Sequence, residues 1–503
     1  MNARIRKMTL VVLALYAALF VKLNQIQLVD AEHLTNRADN TRTVTRDFNR
    51  PRGTISTADG TVLARSVETG DEDLRFRREY PTGDLFAHVV GTFSFQFGAD
   101  GVERQYSDQL SGRTSELQFP GLSALWDDTP NVGNVTLTLR DEVQQAARDA
   151  LGQRRGSVVA LDPRTGGVLA MWSYPAYNAN LLVEGTAEES RRLRDFLDAL
   201  PEKPRLAKAY REVYFPGSTF KVVTAAAGLE SGKVTEQTPV FPVERGYTPP
   251  LTTRPIGNFG GSTCGGTLFE ILRVSCNASF ARMGAQLLGP QPMIDMAENM
   301  GFNSKPPIDL PGAATSVYPT DYGERRRAGD EPGDADVYDN TPKLAQTSIG
   351  QNDVSATPLQ MALVAASVAN GGPVMAPHVL DRVTDARGRV VERYETNVWM
   401  TGTGPETAAT LRRAMVGVVE GGTASRMAIQ GFEVGGKTGT AQLGSDPPKS
   451  HAWVIGFAGP PGGTPEVAVA VLVEAQAGAS EQTGGQVSAP IARAVMQAAL
   501  NAG

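Results

Sequence analysis

The stretch GSVVALDPRTGGVLAMWSYP, residues 156–175, reads as a β-hairpin. Two apolar strands, at 157–161 and 168–172, flank the turn DPRTGG. Comparable strand signals return only near the far end of the chain, in FEVGGKTGTAQL, AWVIGFAG and EVAVAVLVE, and a helix is expected at 490–500. Helical patterns dominate from 219 to about 376. Strands at both ends with helices between them predict one α/β domain whose sheet joins its first and last strands. Few other arrangements bury both sets of apolar strands.

The chain has 503 residues, more than one ordinary domain needs, so further units are expected. At the N-terminus, MNARIRKMTLVVLALYAALFVKLNQIQLV sets Arg4, Arg6 and Lys7 ahead of an apolar run at 8–21. Continued past Lys22, whose long stem can snorkel, the run reaches bilayer-spanning length at Val29. No A-x-A cleavage site follows closely. The reading is an uncleaved signal anchor at 8–29, with residues 1–7 in the cytoplasm and the rest outside. The competing reading is a buried core helix.

Between anchor and hairpin, RPRG and DG mark turns in extended chain, and polar, weakly periodic sequence runs to about Gly133. NVTLTLRDEVQQAARDALGQ gives a strand and then an amphipathic helix that Asp141 is placed to cap. Residues 321–340 read as a charged loop without core-forming residues. The net charge is −6 and no basic stripe is present, so nucleic acid is not an expected partner. Four scattered histidines and two cysteines give no metal-ligand spacing, and no cofactor is expected.

Three patches carry candidate chemistry. In YFPGSTFKVVTAAAGLE, Ser218 follows a Pro-Gly corner and Lys221 comes one turn later on the same helix face. Phe220, Val222 and Val223 around the lysine predict desolvation, which lowers an amine pKa and makes it a base. The competing reading of Ser218 is a helix cap. In RVSCNASF, Ser275 and Asn277 occupy alternate positions and can face one cleft; otherwise they form a polar turn. In VGGKTGTAQ, Gly435, Gly436 and Gly439 leave room for something to approach the backbone, beside Lys437 and Thr438, which suit a carboxylate. The competing reading is a glycine bulge in an edge strand.

In this order, FPGSTFK, SCN and GGKTGTA resemble the three motifs of the penicillin-binding proteins and serine β-lactamases. RPRGTI, YPTGDLFAHVVGTF, GADGVERQYSDQLSG, LDPRTGGVLAMWSYPAYNAN, SIGQNDVSATPLQMALVAASVANGG and AWVIGFAG resemble the bitopic class B transpeptidases. The length resembles the short actinobacterial type without C-terminal PASTA repeats. RLAKAY departs from the L-N-R-A that relatives often carry. The resemblance implies a transpeptidase-like domain at 134–503, an antiparallel sheet with helices on both faces. It implies a mostly β, elongated pedestal of the class B dimerisation type at 30–133.

It also implies roles. Ser218 is the nucleophile, Lys221 its base, Ser275 a proton relay, and Asn277 orients the substrate amide. Lys437, Thr438, Gly439 and Thr440 bind substrate, and the N–H groups of Ser218 and Thr440 form the oxyanion hole. The implied activity is a peptidoglycan D,D-transpeptidase working through an acyl-enzyme on stem peptides and trapped by β-lactams. A D,D-carboxypeptidase or β-lactam hydrolase is the alternative on the same fold, and a non-catalytic β-lactam sensor or scaffold a third. The resemblance implies a SEDS-type glycan polymerase as partner, since no polymerase module precedes the catalytic domain, and a place in the cell membrane with the catalytic domain extracytoplasmic. In such an oxidising compartment Cys264 and Cys276 are a disulfide candidate; two free thiols are the alternative. If Ser275 and Asn277 face the cleft, Cys276 faces away from it, toward the helix packing behind.

Overall fold

The computed structural model describes residues 2–25, 48–70, 74–118, 131–443, 449–475 and 483–502. The two ends of the catalytic segment do meet. Strands Glu433–Gln442, Ser450–Gly459, Val467–Val473, Gly156–Leu161 and Val168–Tyr174 form one five-stranded sheet in that spatial order. Every pairing is antiparallel, and Val467–Val473 joins the C-terminal strands to the hairpin. The central strands are buried at every position, so both faces need covers. Helices Gly484–Asn501 and Asp141–Leu151 pack on each other over one face. The wholly buried helix Pro358–Ala369 packs on the same central strands and supplies the other cover.

A second sheet has six strands, in the order Val390–Arg393, Leu380–Thr384, Asn134–Leu137, Ile55–Ser56, Val62–Glu68, Phe76–Glu79. The sheet thus takes strands from both sides of Gly133. Leu380–Thr384 returns to this sheet and pairs with Asn134–Leu137. The polar stretch before Gly133 holds more core than its periodicity suggests: Leu85, Phe86, Val89, Val90, Val102 and Leu110 are buried. Leu85 and Phe86 lie in the turn before a helix and the others on helices of four or five residues, all too short to show a period. Behind the sheet, the Glu103 carboxylate lies between Arg52 Nε and Arg78 Nε, each at 2.7 Å, with all three side chains buried.

Three further expectations are corrected. Asp141 does not cap its helix; it is the first helical residue, and its N–H donates to Asp59 Oδ2 at 2.9 Å. The cap thus comes from the turn at Asp59-Gly60. The loop 321–340 does reach the core, through Tyr322 and Val337. Its strands Arg325–Arg327 and Val337–Tyr338 pair, laced by Arg325–Asp336 and Arg326–Asp339 ion pairs. The last helix begins at Gly484, with Pro490 inside it rather than at its start.

The N-terminal helix Asn2–Asn24 already includes residues expected in a cytoplasmic tail. Its 20-residue segment Ile5–Asn24 is long and apolar enough to cross a membrane and is exposed along its length. At 1.5 Å per residue it reaches about 30 Å, the thickness of a hydrocarbon core. The stretch from 26 to Val29 lies outside the described residues.

Candidate active site

The Ser218 corner is built by close approach. Gly217 has φ +54°, and its N–H donates to Gly350 O at 2.9 Å. A side chain there would stand 2.9 Å from Thr440 O, so only glycine lets the corner lie against the edge strand. Ser218 follows in the 3₁₀ turn Gly217–Phe220, closed by Thr219 Oγ1 donating to Pro216 O at 2.7 Å. Pro216 holds the N-cap position, so Ser218 is not a cap. It is half-buried, at the mouth of the site. Helix Lys221–Glu230 continues from the turn without a break.

Lys221 is fully buried. Its ammonium donates to Ser275 O at 2.7 Å, Asn277 Oδ1 at 2.6 Å and Ser275 Oγ at 3.2 Å, 5.6 Å from the centre of the Phe280 ring. Its polar contacts are with the Ser275–Asn277 segment rather than the Ser218 hydroxyl. Burial, and then the charge of Lys437, hold its pKa well below the ordinary lysine value. The desolvation expected from Phe220, Val222 and Val223 is present, but Phe280, far off in sequence, is what lies against the ammonium.

Ser275 breaks a local rule. Helix Leu268–Arg273 ends in a Schellman arrangement, with Ser275 N–H to Leu272 O at 3.2 Å and Cys276 N–H to Ile271 O at 2.9 Å. The left-handed position of that motif belongs to glycine, yet here it is a serine with φ +60°. Such strain costs about 1 kcal/mol or more and is typical of functional sites. It turns the Ser275 hydroxyl toward two lysines. Lys437, also fully buried, donates to Ser275 Oγ at 2.7 Å and to Thr438 O at 2.8 Å. Burial pushes the Lys437 pKa down to about 7. Between two ammonium groups the hydroxyl accepts from both. When either amine is neutral, the hydroxyl can donate to it, so the row Lys221–Ser275–Lys437 can pass a proton.

The edge strand Glu433–Gln442 runs in unbroken register with Ser450–Gly459, which removes the bulge reading. Its glycines have different reasons. A side chain at Gly439 would meet Pro216 O and Thr219 Cγ2, each at 3.0 Å; one at Gly435 would strike the Phe457 ring, and one at Gly436 Met427 Sδ. Only Gly439 makes room for the turn that carries Ser218. The Thr438 hydroxyl meets that of Thr423 at 2.6 Å. Thr423 is exposed beside the site, and its N–H donates to Arg273 O at 3.3 Å. Sequence reading missed it; a Gly-Gly-Thr shortly before the edge strand that carries Lys437 is the available signal. Asn277 Nδ2 donates to Gly257 O at 3.0 Å, which turns Oδ1 toward Lys221. Cys264 and Cys276 are joined as a disulfide, with Cα atoms 5.8 Å apart and Cys276 buried behind the cleft. The three patches thus come together at one place. Among the described residues no cluster of three or more His, Cys, Asp and Glu side chains forms a metal-binding group.

The model of the penicillin binding protein transpeptidase domain matches residues 156–497. The chain is a penicillin-binding protein of the transpeptidase family. Residues 52–135, which supply strands Ile55–Ser56, Val62–Glu68 and Phe76–Glu79 of the six-stranded sheet, match the penicillin binding protein A dimerisation domain, as in the class B type of this family. The peptidoglycan D,D-transpeptidase PbpA of Mycobacterium tuberculosis is 37% identical over 99% of both chains, and that of Mycolicibacterium smegmatis is 37% identical over 100% of both. Among solved penicillin-binding proteins, the ceftriaxone acyl-enzyme complex of penicillin-binding protein A from M. tuberculosis superposes with a TM-score of 0.80. It is 35% identical and covers 91% of this chain and 100% of that one. The D,D-transpeptidase domain of a peptidoglycan glycosyltransferase from Eggerthella lenta gives 0.73 at 32% identity, covering 90% and 99%.

Proposed function

We propose that the chain cross-links peptidoglycan as a serine D,D-transpeptidase, and that Ser218 is its nucleophile. The observation that carries this reading is the Ser275 hydroxyl held between two buried lysines, with Ser218 half-exposed at the adjoining corner. Ser218 Oγ attacks the penultimate D-Ala carbonyl of a stem peptide as Lys221, neutral because it is buried, takes the hydroxyl proton. The N–H groups of Ser218 and Thr440 receive the oxyanion where the corner lies against the edge strand. The proton passes through Ser275 to the leaving amine, the C–N bond breaks, and D-Ala departs. An amine from a second stem then attacks the Ser218 ester and regenerates the hydroxyl. Lys437 and Thr438 take the terminal carboxylate, next to Gly439, and Asn277 orients the substrate amide with the second hydrogen of Nδ2. A β-lactam acylates the same serine and stays.

Helix Ile5–Asn24 serves as a single-pass anchor with the arginine-rich end in the cytoplasm, so the catalytic domain is extracytoplasmic. The SEDS-type polymerase is the partner that supplies glycan strands. The test is incubation of the full chain with a pentapeptide-bearing strand and an acceptor amine. D-Ala release with cross-linked dimer supports the reading. D-Ala release with hydrolysed monomer alone would make the chain a carboxypeptidase.

A further inference from the structure

Helix Asn277–Arg282 carries Asn277 at its first position and is entered directly from Ser275. Its N-cap residue is Cys276, whose side chain caps nothing because its sulfur is bonded to Cys264. A helix start without a cap leaves N–H groups unpaired. Here the acceptor comes from Asn258, 20 residues upstream and only 7% exposed: its Oδ1 takes the Ala278 N–H at 2.9 Å. The other end of the same amide is also used. Nδ2 donates to Glu244 O at 2.8 Å and to Ser262 O at 3.0 Å. The preceding residue, Gly257, accepts from Asn277 Nδ2 at 3.0 Å.

We infer that Asn258 is a positioning residue for acylation, the side chain that fixes where Ser275 and Asn277 stand relative to Lys221 and Lys437. The excursion 241–266 thereby grips three consecutive residues: Cys276 by the disulfide, Asn277 through Gly257 O, and Ala278 through Asn258. Of these grips only Asn258 ties the helix start to the strand Phe241–Glu244 through a side chain. Only a carboxamide of this length can accept one bond and donate two at once. Leucine matches its shape and makes none of the three; aspartate keeps the acceptor and loses both donors. The helix start in turn sets the 2.6 Å contact of Asn277 with Lys221, and it anchors the chain that leaves the left-handed Ser275, whose carbonyl and hydroxyl meet Lys221 and Lys437.

The inference rests on the reading that Ser275 and Asn277 serve acylation, and the experiment separates the two. Full-length protein in detergent is mixed with a fluorescent penicillin under stopped flow, resolving affinity of the initial complex from the limiting acylation rate. The variants are Asn258→Ala, Asn258→Asp, Ser275→Ala and, as a control on the exposed rim of the same excursion, Leu251→Ser. Asn258→Ala is expected to slow the limiting rate about tenfold or more while initial affinity changes less than about threefold, because misplacement acts on the reacting geometry. Asn258→Asp, with the acceptor for Ala278 retained, is expected to fall between Asn258→Ala and the parent, and Leu251→Ser to match the parent. Asn258→Ala acylating at the parental rate while Ser275→Ala is slow overturns the inference. So does a loss of melting temperature in Asn258→Ala with an unchanged limiting rate. Where Asn258→Ala does not fold, Asn258→Asp decides: a parental rate overturns the proposal. Ser275→Ala acylating normally overturns the reading of the motif and the inference with it.

Discussion

Two lysines at the site are buried, and among the described residues no carboxylate pairs with either, which decides what each residue does. Lys221→Arg is expected to be about as damaging as Lys221→Ala, because a guanidinium stays charged at working pH. Both should slow acylation by roughly 10²–10⁴-fold, the range of a general base, in a fluorescent-penicillin assay. The groups facing these amines are Ser275, Asn277, Thr438 O and each other. Acylation efficiency should therefore rise with pH as Lys221 loses its proton. It should fall where Lys437, the proposed carboxylate holder, loses its own proton near pH 7. Titration of k/K against pH checks this. Lys437→Arg keeps the cation at all working pH, so the alkaline fall should disappear. The residue types of this site were legible in the sequence because each sits in a short motif with its own turn or helix start. The Phe280 contact, Thr423 and Asn258 were not, because they arrive from segments whose local patterns say nothing about where the chain folds back.

The edge strand and the SCN turn work as elements, held by approach rather than by buried area. Gly439→Ala is expected to push the nucleophile turn away from the strand and to cut acylation sharply, with the far-ultraviolet circular dichroism unchanged, since the strand register does not depend on it. Replacing both Cys264 and Cys276 by serine removes a link across 12 residues and is expected to cost about 3 kcal/mol in denaturant unfolding, by freeing the unfolded chain. The five-stranded sheet was legible because its strands are long, apolar runs that only each other can bury. The six-stranded sheet was not, because Ile55–Ser56 and Val390–Arg393 are short, and one of its strands returns from beyond residue 379. Where strands are this short, sequence pattern leaves their partners unmarked.

Across the whole molecule, two sheets share one chain that passes between them more than once, so damage in the first is expected to be felt in the second. The Arg52–Glu103–Arg78 group is the most exposed to such damage energetically. Burial pushes the Glu103 carboxyl up, but Arg78 and Arg52 outweigh it and the net pKa lies below the ordinary value. A carboxylate depressed in the folded state contributes stability above its unfolded pKa and loses it as pH falls through the folded one, so this group should weaken the fold only in acid. Glu103→Gln leaves two buried guanidiniums without an anion and is expected to cost about 3–5 kcal/mol, read as a fall in the denaturant midpoint. The account as a whole stands on a covalent bond at one serine. Its most direct test is intact and peptide mass spectrometry of the full-length protein after penicillin G. The account predicts a single added penicilloyl mass on the peptide that contains Ser218, and none on a Ser218→Ala variant that folds like the parent. An adduct that persists on Ser218→Ala, or that maps to Ser275, would contradict it.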